Sequence, residues 1–492
     1  MIRNPQSGEM LNDAILHSLR AASMSRRDLL GRVGAGFGML GLAGILSEEG
    51  MLGGALAASE SSTANVNPLT PKPPHFAPKA KQVVHFFLKG GPSQIDTFDP
   101  KPLLDRLHGK PAGDLGLPTE RKTGAVMRSP FKFRRHGQSG IPVSSLFEKT
   151  GALIDDICVV RSMYCDVPNH EPSIQLLNCG HNIVTRPSWG AWITYGLGSE
   201  NQTLPGYFAL CPTGMPTLGS RLWGSSFLPG AYQGTFIESK HQDVDRLIEN
   251  VRNTSFSKPG QRRQLDLVRR LNELHRHERP GESRLESRIQ SFELAFRMQL
   301  EASDVLDVAK EPQHVHDLYG SGPNARQMII ARRLIERGVR FVQVFTHAGG
   351  GWDSHEGLES AHGRLAREAD QPLYAFLSDL KQRGLLDTTL VIVGGEFGRT
   401  PVAELPKLSG RDHNHYGFTF LLAGGGVKGG HIHGATDDLG FAAVEGKVHY
   451  HDLHATILHC LGIDHEKLTY RYAGRDFRLT DVHGNVVHDI LA

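Results

Sequence analysis

Three times the chain runs from a short apolar stretch straight into glycines and then into carboxylates and imidazoles. Val83–Leu88 (VVHFFL) leads into Gly90-Gly91-Pro92-Ser93-Gln94-Ile95-Asp96, and Val339–Phe345 leads into His347-Ala348-Gly349-Gly350-Gly351-Trp352-Asp353-Ser354-His355. Thr389–Val393 leads into Gly394-Gly395-Glu396-Phe397-Gly398-Arg399. Short β-branched and aromatic runs that stop at glycine read as buried strands, and Ile157–Val160 and Phe418–Leu422 read the same way. Between the 339 and 389 strands, Leu365, Ala369, Leu373, Phe376, Leu377 and Leu380 recur at helical spacing. Ala325–Arg337 and His451–Leu461 give two further helices. Strand, helix, strand with near-continuous apolar strands predicts an α/β fold whose mostly parallel sheet is covered on both faces.

In an open parallel sheet, ligands gather on the loops that follow the strands. The polar residues above fall on three such loops, and a fourth, Arg411-Asp412-His413-Asn414-His415, precedes the 418 strand. Hard oxygen donors beside imidazoles, on loops whose glycines let backbones approach closely, suit a divalent metal: Zn, Ca, Mg or Mn. The chain has 26 His, but those at 431, 433, 449, 451, 454 and 459 read as ordinary core or surface residues. Trp189, Trp192 and Cys460 read as core.

The N-terminal segment is an address. Ser25-Arg26-Arg27-Asp28-Leu29-Leu30, the uncharged stretch Val33–Leu46 and Ala55-Leu56-Ala57 form a twin-arginine export signal, 1–57. Its apolar stretch is too short and glycine-rich to span a bilayer once cleavage is considered, so no stable membrane span is expected. Gly36-Phe37-Gly38-Met39-Leu40-Gly41 spells a dinucleotide fingerprint, but no strand precedes it and no acidic residue follows at the right distance. Residues 58–81, rich in Ser, Pro and Lys, read as a linker to an α/β domain at 82–492. A helical insertion is expected at about 240–320, where Leu265, Val268, Leu271, Leu274, Phe292, Phe296 and Leu300 lie among many charges. Lys+Arg 54 against Asp+Glu 52 leaves a net charge of only +2 without a basic stripe, which argues against nucleic acid as a partner. Five Cys, none in a C-x-x-C pair, imply no disulfide framework.

The loops, in this order, resemble the alkaline phosphatase and sulfatase superfamily. Its members bind metal with an Asp after the first strand, an Asp/His pair after a middle strand, an acidic residue after the next and a late His. The resemblance implies an alkaline-phosphatase-like three-layer sandwich and a metal held by Asp96, Asp353, His355, Glu396, His413 and His415. More closely, residues from about 83 to the C-terminus are similar to a bacterial exported family called domain of unknown function 1501. GGPSQIDTFDPKP from Gly90, ARRLIERGVRFVQVF from Ala331, GGWDSH from Gly350, GGEFGRTP from Gly394, DHNHYGF from Asp412 and HDLHATILHCLG from His451 carry that likeness.

The departures bear on mechanism. Sulfatases carry C-x-P-S-R, whose Cys becomes the formylglycine nucleophile. Here His170-Glu171-Pro172-Ser173-Ile174 stands in that place, so the nucleophile position is His170 and the Arg position Ile174. The superfamily's Asp-His dipeptide is Glu396-Phe397. Two readings follow. One is an exported, periplasmic or extracellular metal-dependent hydrolase of sulfate or phosphate esters, including anionic glycan esters. In it His170 or Ser173 attacks or transfers protons and Arg399 clamps the anion. The other is a catalytically degenerate relative that binds an anionic glycan or an envelope partner. In both, the twin-arginine machinery is the export partner.

Overall fold

In a computed structural model of the chain, the described residues are 67–241, 243–248, 256–278, 293–294, 296–298 and 301–492. The expected export signal 1–57, the G-x-G-x-x-G of 36–41, the first part of the linker and, in the insertion, residues 242, 249–255, 279–292, 295 and 299–300 lie outside them. Among the described residues, no helix is long and apolar enough to cross a membrane.

The strands used below are β1 (Gln82–Phe87), β2 (Ile157–Tyr164), β3 (Tyr207–Cys211), β4 (Thr235–Glu238), β5 (Phe341–Phe345), β6 (Thr389–Gly394), β7 (Gly398–Glu404), β8 (Arg411–Asn414), β9 (Phe418–Ala423), β10 (His431–His433) and β11 (Val448–His449). The main helices are α1 (His170–Cys179), α2 (Trp189–Leu197), α3 (Lys258–Glu278), α4 (Pro323–Glu336), α5 (Leu358–Gln382) and α6 (Tyr450–Cys460). A nine-stranded sheet has the order β10-β2-β9-β6-β1-β5-β3-β4, with β11 also paired to β2. β1 lies between β5 and β6, parallel to both. β9 alone in the sheet runs antiparallel to its two neighbours, β2 and β6. That reversal brings the loop before β9 to the edge where the loops after β1, β5 and β6 emerge. β7 and β8 form a small antiparallel sheet with Thr123–Val126 above that edge.

The alternation of β1 explains the layers. Val84 and Phe86 pack with Ile329, Leu334, Leu373 and Phe376 of α4 and α5, while Val83 and Phe87 pack with Ile174, Trp192 and Ile457 of α1, α2 and α6. Successive side chains of a strand face opposite ways, so a strand buried on both faces is apolar throughout. The result is the three-layer α/β sandwich with a mostly parallel sheet that the strand and helix pattern predicts. The short β3 and β4 are not among the strands that the sequence pattern marked. Trp189, Trp192 and Cys460 are core, and all five cysteines are buried and free.

One stretch departs from its sequence impression. From residue 67 the linker is pinned to the domain: Lys72 N–H donates to the Leu197 carbonyl, and Lys79 and Ala80 N–H donate to that of Cys460. Leu69 and Ala80 are buried. In the insertion, Arg262 of α3 pairs with Asp266 and with Glu293, tying the helix to the segment at 293–298.

Three histidines are wholly inside. Burial pushes His85, His362 and His454 down to about 3, and for His85 the charge of His454 adds to the effect. The unfolded chain therefore binds more protons than the folded one between about pH 3 and the ordinary imidazole value near 6.5. Stability is unaffected by these groups above that window and falls through it, by about 2 kcal/mol for each by pH 5. Thermal unfolding should shift steeply downward between pH 6.5 and 5; a flat profile there contradicts the burial of neutral imidazoles.

Candidate metal centre

The loop after β5 is set by its neighbours. Trp352 is fully buried, stacked on Phe147 at 5.9 Å and edge-on to His362 at 4.9 Å, and its backbone N–H donates to the Lys89 carbonyl. Gly90, at φ +106°, lets that loop pass: a Cβ there would lie 2.1 Å from the Gly350 carbonyl oxygen and 2.5 Å from the Asp353 nitrogen. With Trp352 anchored, the next side chain, Asp353, points over the sheet edge.

Four polar groups converge on Asp353. His170 Nε2, at the first turn of α1, lies 3.2 Å from Oδ2. His355 Nε2 lies 2.9 Å, Arg399 Nη2 2.7 Å and His413 Nε2 3.4 Å from Oδ1. Arg399 and His413 face each other in the register of β7 and β8. Burial raises the Asp353 carboxyl, but hydrogen bonds from His170, His355 and His413 and the Arg399 charge overcome it and hold the group far below the usual carboxylate range. His170 Nδ1 donates to Glu396 at 2.6 Å, and the Gly90 N–H is shared between both Glu396 oxygens at 2.9 and 3.0 Å. Burial would lower His170, yet bonds to Asp353 and Glu396 win and raise it to about 9. His413 goes the other way, lowered by burial against the pull of Asp353.

Nitrogen or oxygen atoms of His170, Asp353 and His413 lie within 4.8 Å of one another, as do those of a second group, His355, Glu404 and Asp412. Two imidazoles and a carboxylate are the ligand count and type of a catalytic zinc-like site with an open position. Buried His170 Nε2 faces the Asp353 carboxylate, 3.2 Å away, and a metal shared with that carboxylate would take the place of the proton between them. Asp353 and His170 keep 26% and 22% of their side-chain surface open, so a ligand reaches them. His355 Nδ1 bonds Glu404 at 2.5 Å, and Arg121 neutralises Glu404 and Asp412 from the rim. The donor set therefore fits one divalent cation at the first group, with a second anionic group adjoining it through His355.

The residues expected from the sequence divide as follows. Asp353, His355, Glu396, His413, His170 and Arg399 come together. Arg399 is fully buried and donates to the carbonyls of Gly90, Gly91 and Arg411 as well as to Asp353, so it steadies Asp353 instead of presenting an open fork. Ser173 is also fully buried, its hydroxyl donating to the Glu396 carbonyl at 2.6 Å. Asp96 lies in the helical turn Gln94–Thr97, where it pairs with buried Arg411 at 2.8 Å and accepts from Ser93 at 2.5 Å. His415 falls past the end of β8, and its ring packs on Tyr416 at 3.9 Å instead of joining His413. Glu404, Asp412 and Arg121 were missed as site residues. Asp412 sits inside a quoted loop, but Glu404 is a strand residue without a glycine signature.

The position of Asp96 makes a prediction. Asp96→Ala strands the Arg411 charge in the interior and should cost about 3–5 kcal/mol in chemical denaturation while leaving the metal content of the folded protein unchanged. Full stability with loss of metal would instead make Asp96 a ligand.

Comparison with known proteins gives one family. The family described as "Protein of unknown function (DUF1501)" matches residues 80–491. No curated protein sequence matches the chain significantly. Among solved structures, the PsFucS1 sulfatase from Pseudoalteromonas sp. is similar at 13% identity and TM-score 0.35, covering 84% of this chain and 72% of that one. The lipoteichoic acid synthase LtaP from Listeria monocytogenes gives 10% identity and TM-score 0.36, over 87% and 81% of the two chains. The alkaline phosphatase from the Antarctic bacterium TAB5 gives 11% and 0.32, over 78% and 98%.

Proposed function

The chain belongs to the DUF1501 family, and on that premise we propose that it is an exported, metal-dependent hydrolase of phosphate or sulfate esters. The observation that carries this reading is the convergence of His170, Asp353 and His413 within 4.8 Å at the carboxyl edge of the sheet. A divalent cation bound there would polarise an ester oxygen and lower the pKa of an attacking water. The mixed nitrogen and oxygen donors favour zinc or manganese over calcium or magnesium.

The chain's own residues do the positioning. Glu396, fixed by the Gly90 N–H, orients the His170 ring through Nδ1 and leaves Nε2 for the metal. Arg399 offsets the charge of Asp353, and Phe397, 4.8 Å from His170 and 4.6 Å from His413, backs both rings. Export by the twin-arginine route, which moves folded proteins, suits a site assembled before crossing.

One observation favours the second reading, a degenerate binder of an anionic glycan or envelope partner. Ser173 is committed to a carbonyl, and Cys165, 3.3 Å from it, is buried, with its thiol raised to about 12 by burial.

The experiment is metal analysis of the purified chain by plasma mass spectrometry, with p-nitrophenyl phosphate and sulfate turnover, beside Asp353→Ala. The expected result is about one equivalent of divalent metal, lost with turnover in the variant. Because His170 holds its proton up to about 9, metal uptake at pH 7.5 should release a proton and tighten as pH rises. A folded, metal-free wild type would overturn the hydrolase reading; metal without turnover would favour the binder.

A further inference from the structure

Lys89 lies two residues past the end of β1 and one residue before the Gly90 that holds Glu396. Its side chain is 5% exposed. The ammonium donates to Thr217 Oγ1 at 2.8 Å and to the Ala348 carbonyl at 2.5 Å, both neutral oxygens. An ammonium has three N–H donors, so one is left over. Among the described residues, no carboxylate pairs with it. Desolvation lowers the Lys89 pKa, opposed by the more distant charges of Glu396, Glu171 and Asp353 and by Cys211. A charge in such a place is costly unless a counter-ion completes it. Thr217 lies on an exposed loop that turns at Leu218, φ +72°; its oxygen accepts from Lys89, which leaves its own O–H to donate outward.

We propose that Lys89 and the Thr217 hydroxyl form the anion-recognition corner of this site, taking an unesterified oxygen of a phosphate or sulfate group. The assignment of that group to an ester rests on the hydrolase reading; the anion corner itself does not require the metal. It also accounts for a buried lysine where the fold otherwise collects acids, and it passes to Lys89 the anion-binding task of an open fork that fully buried Arg399, with four of its five N–H donors committed, does not present.

The test is calorimetric titration of the purified full chain with inorganic phosphate and with inorganic sulfate, for wild type, Lys89→Met, Lys89→Arg and Thr217→Val. Wild type should bind at least one of the two saturably. Lys89→Met should weaken that binding about tenfold or more and Thr217→Val less, while metal content stays at the wild-type level. Lys89→Arg should recover most of the affinity. Without added anion, Lys89→Met should melt no lower than wild type, because it removes an unmatched charge; a purely structural lysine would give a lower melting temperature. Unchanged anion affinity in Lys89→Met, or no anion binding by wild type, would overturn the proposal. A metal-free wild type that still binds phosphate through Lys89 would leave this inference standing and remove the hydrolase reading.

Discussion

The carboxylate of Asp353 is the point to which the rest of the site is tied. It is half-buried, and an arginine and three imidazoles from α1, β7, β8 and its own loop surround it and hold it ionised. Each of those donors in turn depends on a packing decision elsewhere. His170 is aimed by Glu396, Arg399 by the carbonyls of Gly90 and Gly91, and His413 by its strand pairing with Arg399. Asp353 itself is aimed by the buried Trp352 and by the absence of a side chain at position 90.

Net charge follows from the same arrangement. Asp353, Glu396, Glu404 and Asp412 gather at one edge of the sheet, and Arg399, Arg121 and protonated His170 only partly offset them. Acids brought together in this way repel one another unless a cation or a proton sits between them. A raised His170 and a divalent metal are two solutions to the same electrostatic problem. The passage from one to the other would link the proposed metal binding to proton release.

Much of this was legible in the sequence because strand ends, glycines and polar residues repeat in one order. That pattern marks which residues leave the sheet at its carboxyl edge, and Asp353, His355, Glu396 and His413 all do. What order along the chain lacks is direction. Asp96 follows its strand as Asp353 follows another, but the helical turn at Gln94–Thr97 swings it into an ion pair with Arg411. His413 and His415 look alike in sequence, yet β8 ends between them. Glu404 and Lys89 lay hidden for the opposite reason: one is a strand residue, and the other comes ahead of the glycines that draw attention to its loop. The antiparallel course of β9 was not visible either, although it is what brings the fourth loop to the others.

The measurement closest to the central claim is anomalous diffraction from crystals of the full chain grown with zinc or manganese. The account predicts an anomalous peak within about 2.0–2.3 Å of His170 Nε2, an Asp353 oxygen and His413 Nε2. No peak there at saturating metal, with His170 still bridging Asp353 and Glu396, would contradict it.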